Sequence, residues 1–85
     1  MYRVILDDRA KRHLRRVPEK ARRTIIAQLG KLSADPRPPG VKKLHGSLHP
    51  GWRIRIGKYR ALYTIDDSDQ ELRIFKISLR EHAYD

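Results

Sequence analysis

Residues 52–63 read Trp52-Arg53-Ile54-Arg55-Ile56-Gly57-Lys58-Tyr59-Arg60-Ala61-Leu62-Tyr63. Apolar and basic residues alternate on either side of Gly57-Lys58, which is the period of a strand with one face against a core. Gly57-Lys58 is a Gly-X pair suited to a two-residue type II′ turn, so the stretch reads as a β-hairpin. A two-residue loop fixes the register: Ile56 opposite Tyr59, Arg55 opposite Arg60, Ile54 opposite Ala61, Arg53 opposite Leu62. Ile54, Ile56, Tyr59 and Ala61 then share one face, and Arg53, Arg55 and Arg60 share the other. Arg55 and Arg60 meet directly across the ladder, where like charges cost from a few tenths up to about 1 kcal/mol. A sequence selected for stability alone would place Glu or Thr at one of the two positions.

Outward from the hairpin, residues 2–7 (YRVILD) alternate in the same way and predict a first strand, with Asp8 as the N-cap of a helix. Ala10, Leu14 and Val17 follow at helical spacing. Pro18 suits the first turn of a second helix, where its missing N–H is not needed. Ala21, Ile25, Leu29 and Leu32 mark one face of that helix, with Ile26 widening the stripe, and Asp35-Pro36 ends it. Residues 37–51 hold three prolines and three glycines and read as a loop with a short extended piece at 42–44. Residues 66–70 form a polar turn, and residues 72–77 (LRIFKI) a further strand; residues 79–85 are a tail. The order β-α-α-β-β-β predicts an α+β domain, a helical hairpin packed on a largely antiparallel four-stranded sheet with a short C-terminal tail. At 85 residues and with no internal repeat or linker, residues 1–85 are expected to form a single domain.

The chain carries 20 Lys+Arg against 10 Asp+Glu, a formal charge of +10, and no Cys. Disulfides, thiolate catalysis and Cys-based zinc sites are thereby excluded. The longest apolar runs are three residues, too short for a membrane-spanning helix or a secretory core, so the expectation is a soluble cytoplasmic protein with no membrane partner. The cations fall into two groups. Residues 9–23 hold eight cations and one acid, which fits a solvated helix face. Residues 36–65 hold seven cations and no acid, so nothing in that stretch offsets the local field, and an anionic partner is expected.

Arg53, Arg55 and Arg60 either keep the outer face of a half-buried sheet soluble or form an anion site. Guanidinium groups remain charged and offer forked donors that match phosphate oxygens. Three on one face would hold a nucleic-acid backbone and stabilise extra negative charge on a phosphorus in transition. Lys42, Lys43 and Lys58 could extend a backbone-binding track. In the tail, Arg80, His82 and Tyr84 are spaced two apart and face one way if the segment is extended. Tyr84 has the chemistry to stack on an unpaired base or exchange a proton, and His82 alone in this set titrates near neutrality. An ordered role competes there with the ordinary fate of terminal side chains. His45 and His49 lie four apart, but Gly46 and Pro50 break any helix that would present both, so no metal site is expected. Gly-rich phosphate loops, serine elbows, paired carboxylates and the EF-hand pattern are absent from the sequence.

Residues 44–46 (LHG), 52–63 (WRIRIGKYRALY) and 77–84 (ISLREHAY), together with the β-α-α opening that contains residues 10–29 and Ala34-Asp35-Pro36, closely resemble the RelE branch of the RelE/ParE toxin superfamily. The resemblance covers essentially the whole chain and is most specific in the hairpin and in the Arg80-x-x-x-Tyr84 tail. It implies the toxin of a bacterial type II toxin–antitoxin module that enters the ribosomal A site and cleaves mRNA without metal or other cofactor. The 2′-hydroxyl attacks the adjacent phosphate and the 5′-oxygen leaves; a cognate acidic antitoxin protein silences the toxin. Carried over residue by residue, the catalytic positions are Arg53, Arg55, Arg60, Arg80 and Tyr84, with phosphate and transition-state charge met by Arg55, Arg60 and Arg80. The best-known member has lysines at the first two positions. Arginine does not readily give up a proton, so the resemblance leaves His82, Tyr84 or electrostatics alone to replace a lysine base. Two other readings share the fold: a ParE-like inhibitor of DNA gyrase without nuclease activity, and a nucleic-acid-binding module without catalysis.

Overall fold

The computed structural model describes residues 1–44 and 51–79. The chain runs β1 (Arg3–Leu6), α1 (Asp8–Arg15), α2 (Glu19–Lys31), β2 (Lys42–Lys43), β3 (Trp52–Ile56), β4 (Tyr59–Asp66) and β5 (Glu71–Leu79). The strands form one sheet in the order β1-β5-β4-β3-β2. β1 pairs with β5 in parallel and the other neighbours are antiparallel. A helical hairpin on a largely antiparallel sheet is therefore what the chain builds. The sheet has five strands rather than four, because Lys42 and Lys43 pair with Arg53 and Trp52 as a short edge strand.

Local chemistry sets the boundaries. α1 is capped by Asp7, one residue earlier than expected, whose carboxylate accepts from the Ala10 N–H at 2.9 Å. Pro18 likewise sits one residue before its helix, as the N-cap of α2, and its carbonyl accepts from Arg22 N–H at 2.8 Å. Gly57 takes φ +59 while Lys58 keeps a negative φ, as a type II′ turn requires. Gln70 closes the β4–β5 connection at φ +50, and Asp66 Oδ1 accepts from Asp69 N–H at 3.0 Å within it.

The core lies between the helices and one face of the sheet. Ala10, Val17, Ile25, Leu29 and Leu32 pack with Ile56, Ala61, Tyr63, Leu72, Ile74 and Ile77. Ile26 is 53 % exposed and lies off the buried stripe that the sequence assigned it to. Tyr63 is fully buried, and its hydroxyl donates to the Pro36 carbonyl at 2.8 Å, pinning the chain that leaves α2 to the sheet. Burial pushes the Tyr63 phenol up to about 12.

The register of β4 on β5 shifts once. Leu62 stands opposite Lys76 but Tyr63 stands opposite Ile74, so Phe75 is an extra residue on β5. Strict alternation from Leu72 and Ile74 would turn Lys76 toward the core. The bulge brings Ile77 inward instead, where it is 4 % exposed.

Candidate nucleic-acid interface

Residues directly opposed across a sheet point to the same side, as do residues two apart on one strand. The pairing therefore lays two rows across the face turned away from the helices. One row is Lys42, Arg53, Leu62, Lys76, and the next is Arg55, Arg60, Ser78. Five cations, Lys42, Arg53, Arg55, Arg60 and Lys76, lie in those two rows over four adjacent strands; Arg73, in the next row opposite Thr64, faces the same way and is paired with Glu71. At about 4.8 Å per strand, this is a track roughly 14 Å across.

The hairpin register is the one read from the sequence, including the Arg55–Arg60 opposition. Exposure differs from expectation at one position. Arg60 was expected to lie open on the solvent side; it lies on the expected face but is 6 % exposed. It sits on an interior strand, between β3 and β5, whereas Arg55 is exposed and Arg53 half-buried. The face thus has a covered guanidinium at its centre and more open cations around it. A charge held away from water acts on a bound anion more strongly than one in bulk solvent.

Two of the lysines assigned to the track lie apart from it. Lys43 pairs with Trp52 on the other side of the sheet, its Nζ 6.0 Å from the indole centroid, and Arg37 covers the same ring at 5.2 Å. Lys58 is at the hairpin tip and lines a cavity of about 440 Å³ with Pro18, Lys20, Ala21, Thr24 and Tyr59. Arg80, His82 and Tyr84 fall outside the described residues, as do His45 and His49.

Lys76 is the member of the face that sequence reasoning missed. Its signal was the apolar pair Ile74-Phe75, which breaks the period of two; the bulge at Phe75 then takes Lys76 out of the inward series Leu72, Ile74. His13 was missed too. β1 covers β5 only as far as Ile74, and α1 lies along the edge beyond it. There His13 Nδ1 accepts from the Ile77 N–H at 3.1 Å. Burial, followed by the charges of Lys76, Arg9, Arg12 and Arg16, lowers the His13 pKa and keeps the ring in the neutral form that can accept.

The acids are held at the other end of the sheet. Glu71 pairs with Arg3 at 3.0 Å and Arg73 at 2.8 Å. Asp67 pairs with Arg37 at 3.0 Å and accepts from the Tyr2 hydroxyl at 2.6 Å, contacts that hold its carboxyl below the usual range. These ion pairs staple β1 and the loop after α2 to the β4–β5 turn, so this acidic group is engaged away from the arginine rows. Among the described residues, no three His, Cys, Asp or Glu come together to hold a metal ion, and no helix is long and apolar enough to cross a membrane.

The fold has counterparts among known proteins. Residues 4–84 match the family described as the ParE toxin of the type II toxin–antitoxin system parDE, and the chain belongs to that family within the RelE/ParE toxins. Among solved structures, the chain is similar to the RelBE2 toxin–antitoxin complex of Mycobacterium tuberculosis, with 30 % identity and a TM-score of 0.83 over 93 % of this chain and 98 % of that one. It is similar to the archaeal RelE–RelB complex of Pyrococcus horikoshii OT3, with 28 % identity and a TM-score of 0.82 over 96 % and 98 %. The intact RelBE complex of E. coli matches in fold, with 21 % identity and a TM-score of 0.80 over 96 % and 100 %. No protein with curated annotation matches the sequence significantly.

Proposed function

We propose that this toxin is a ribosome-dependent mRNA endonuclease that works by charge stabilisation on the arginine face. The observation that carries the reading is the convergence of Arg53, Arg55 and Arg60, joined by Lys42 and Lys76, on the sheet face opposite the helices. In the reaction, the 2′-hydroxyl oxygen of one nucleotide bonds to the adjacent phosphorus and the bond from phosphorus to the 5′-oxygen breaks. The products are a 2′,3′-cyclic phosphate and a 5′-hydroxyl, so one proton moves from the nucleophile to the leaving group, with no water consumed and no redox step. Negative charge grows on the non-bridging oxygens, and Arg55 and Arg60, with Arg80 from the tail, supply the donors that meet it. Tyr84 stacks on or orients the cleaved nucleotide, and His82 and Tyr84 are the groups available to move the proton. The partner that silences the protein is an acidic antitoxin, as the RelE–RelB and RelBE complexes of similar fold suggest. The chain is read as acting in the cytoplasm, where ribosomes and mRNA are.

The family match is to a ParE toxin, and the second reading is the ParE-like one, inhibition of DNA gyrase without nuclease activity. The two separate in one experiment. Purified protein is added to translating ribosomes, with primer extension across the mRNA, and in parallel to a gyrase supercoiling reaction. Cuts in ribosome-bound mRNA with unaffected supercoiling support the nuclease. Loss of supercoiling with intact mRNA overturns it.

A further inference from the structure

We propose that Lys76 contacts a phosphate of the bound RNA and that His13, on α1, is the positioning residue that keeps it on the arginine face. This rests on the reading of that face as an RNA site.

The bulge at Phe75 decides where Lys76 goes. With it, Lys76 stands in the row of Arg53 and Leu62, beside the row of Arg55, Arg60 and Ser78. Side chains alternate with a period of two, so moving the extra residue past Lys76 would send the lysine toward the core and Ile77 out of it. Backbone N–H groups along a strand alternate between its two edges. The Ile77 N–H points away from β4, at the part of β5 that β1 does not cover, and His13 Nδ1 accepts it at 3.1 Å. The bond can form only in the register that puts Lys76 outward. His13 and Lys76 also line the same cavity of about 320 Å³, with Arg16, Tyr59 and Ser78. Lys76 extends the cationic track from β3 and β4 across β5, to the rim nearest the cations of α1.

The test is equilibrium binding of the full chain to a labelled single-stranded oligouridine over a salt series. Each phosphate contact adds about 0.7 to the slope of log affinity against log salt. Lys76→Ala is expected to lower that slope by about 0.7, as Arg55→Ala does, while Lys31→Ala at the end of α2 leaves it unchanged. His13→Leu is expected to lower the slope by a similar amount. His13→Gln, whose amide oxygen can accept from Ile77, is expected to restore most of it. In the Lys76→Ala background, His13→Leu is expected to change the slope no further, which a merely structural role would not produce. If Arg55→Ala lowers the slope and Lys76→Ala does not, the proposal is overturned while the RNA face stands. If neither changes it, both fall. If His13→Leu lowers the slope equally with and without Lys76, the positioning role of His13 is overturned.

Discussion

Replacing Arg55 by Glu is expected to make the protein more stable and less active. Arg55 faces Arg60 directly across the ladder. A like-charge pair costs a few tenths to about 1 kcal/mol, and an opposite-charge pair is worth a similar amount. Arg55 is exposed, and solvent screening reduces both figures, so the swing taken together is about 1 kcal/mol. In a domain of this size that raises the melting temperature by about 4–8 °C. The gain is electrostatic and shrinks as salt shortens the screening length from about 10 Å at 0.1 M to about 3 Å at 1 M. Thermal unfolding of Arg55→Glu and wild type at both salt concentrations reads the effect, with Arg55→Thr as the variant that removes repulsion without adding attraction. The expected order of stability is Glu above Thr above Arg at low salt, converging at high salt. The expected order of RNA affinity is the reverse. A wild type more stable than both variants at low salt would refute the idea that this pair is kept at the expense of stability.

Three other perturbations probe the scaffold and its pH dependence. Tyr63→Phe leaves the Pro36 carbonyl without its hydroxyl donor and is expected to cost about 1 kcal/mol, read by denaturant unfolding. Gly51→Ala places a Cβ 3.0 Å from the Tyr63 carbonyl oxygen and 3.2 Å from Leu44 Cδ1. That oxygen belongs to the strand backbone and cannot swing aside, so overpacking of about 1–3 kcal/mol is expected. His13 has a lowered pKa in the folded chain, so its contribution to stability is present above the unfolded value near 6.5. It is lost as pH falls through the folded value, when the imidazolium faces Lys76, Arg9, Arg12 and Arg16 and can no longer accept from Ile77. Melting temperatures from pH 7.5 to 5 are expected to fall more steeply for wild type than for His13→Gln; parallel curves would show that His13 is not the group responsible.

The hairpin was legible because a two-residue turn leaves one register, and that register alone sets Arg53, Arg55 and Arg60 on one face. The helices were legible from their apolar spacing, although each start fell one residue from where the sequence placed it: Asp7, not Asp8, caps α1, and Pro18, read as lying in the first turn of α2, is its N-cap. Lys76 was only partly legible. Residues 72–77 (LRIFKI) break the period of two at Ile74-Phe75, but a bulge is a tertiary event, driven here by burial of Ile77 and by the acceptor that His13 brings to the sheet edge, and the break alone does not say which residue is extra. The burial of Arg60 was hidden too: the side a residue faces follows from its strand, but how deeply it is covered does not, and Leu62 and Thr64 on the same face of β4 are only half-buried. The parallel pairing of β1 with β5 joins segments nearly seventy residues apart, and Arg3 and Glu71 make sense as an ion pair only once that pairing is known.

The most direct test of the account is the single-turnover rate at which purified protein cuts mRNA held in the A site of a programmed ribosome, compared between wild type and Arg55→Ala. Removing one preorganised donor to a developing oxyanion lowers such a rate by about 10²–10³. A drop of that order, with folding and ribosome binding retained, is the predicted result. A rate within a few-fold of wild type would contradict the claim that the arginine face performs the chemistry.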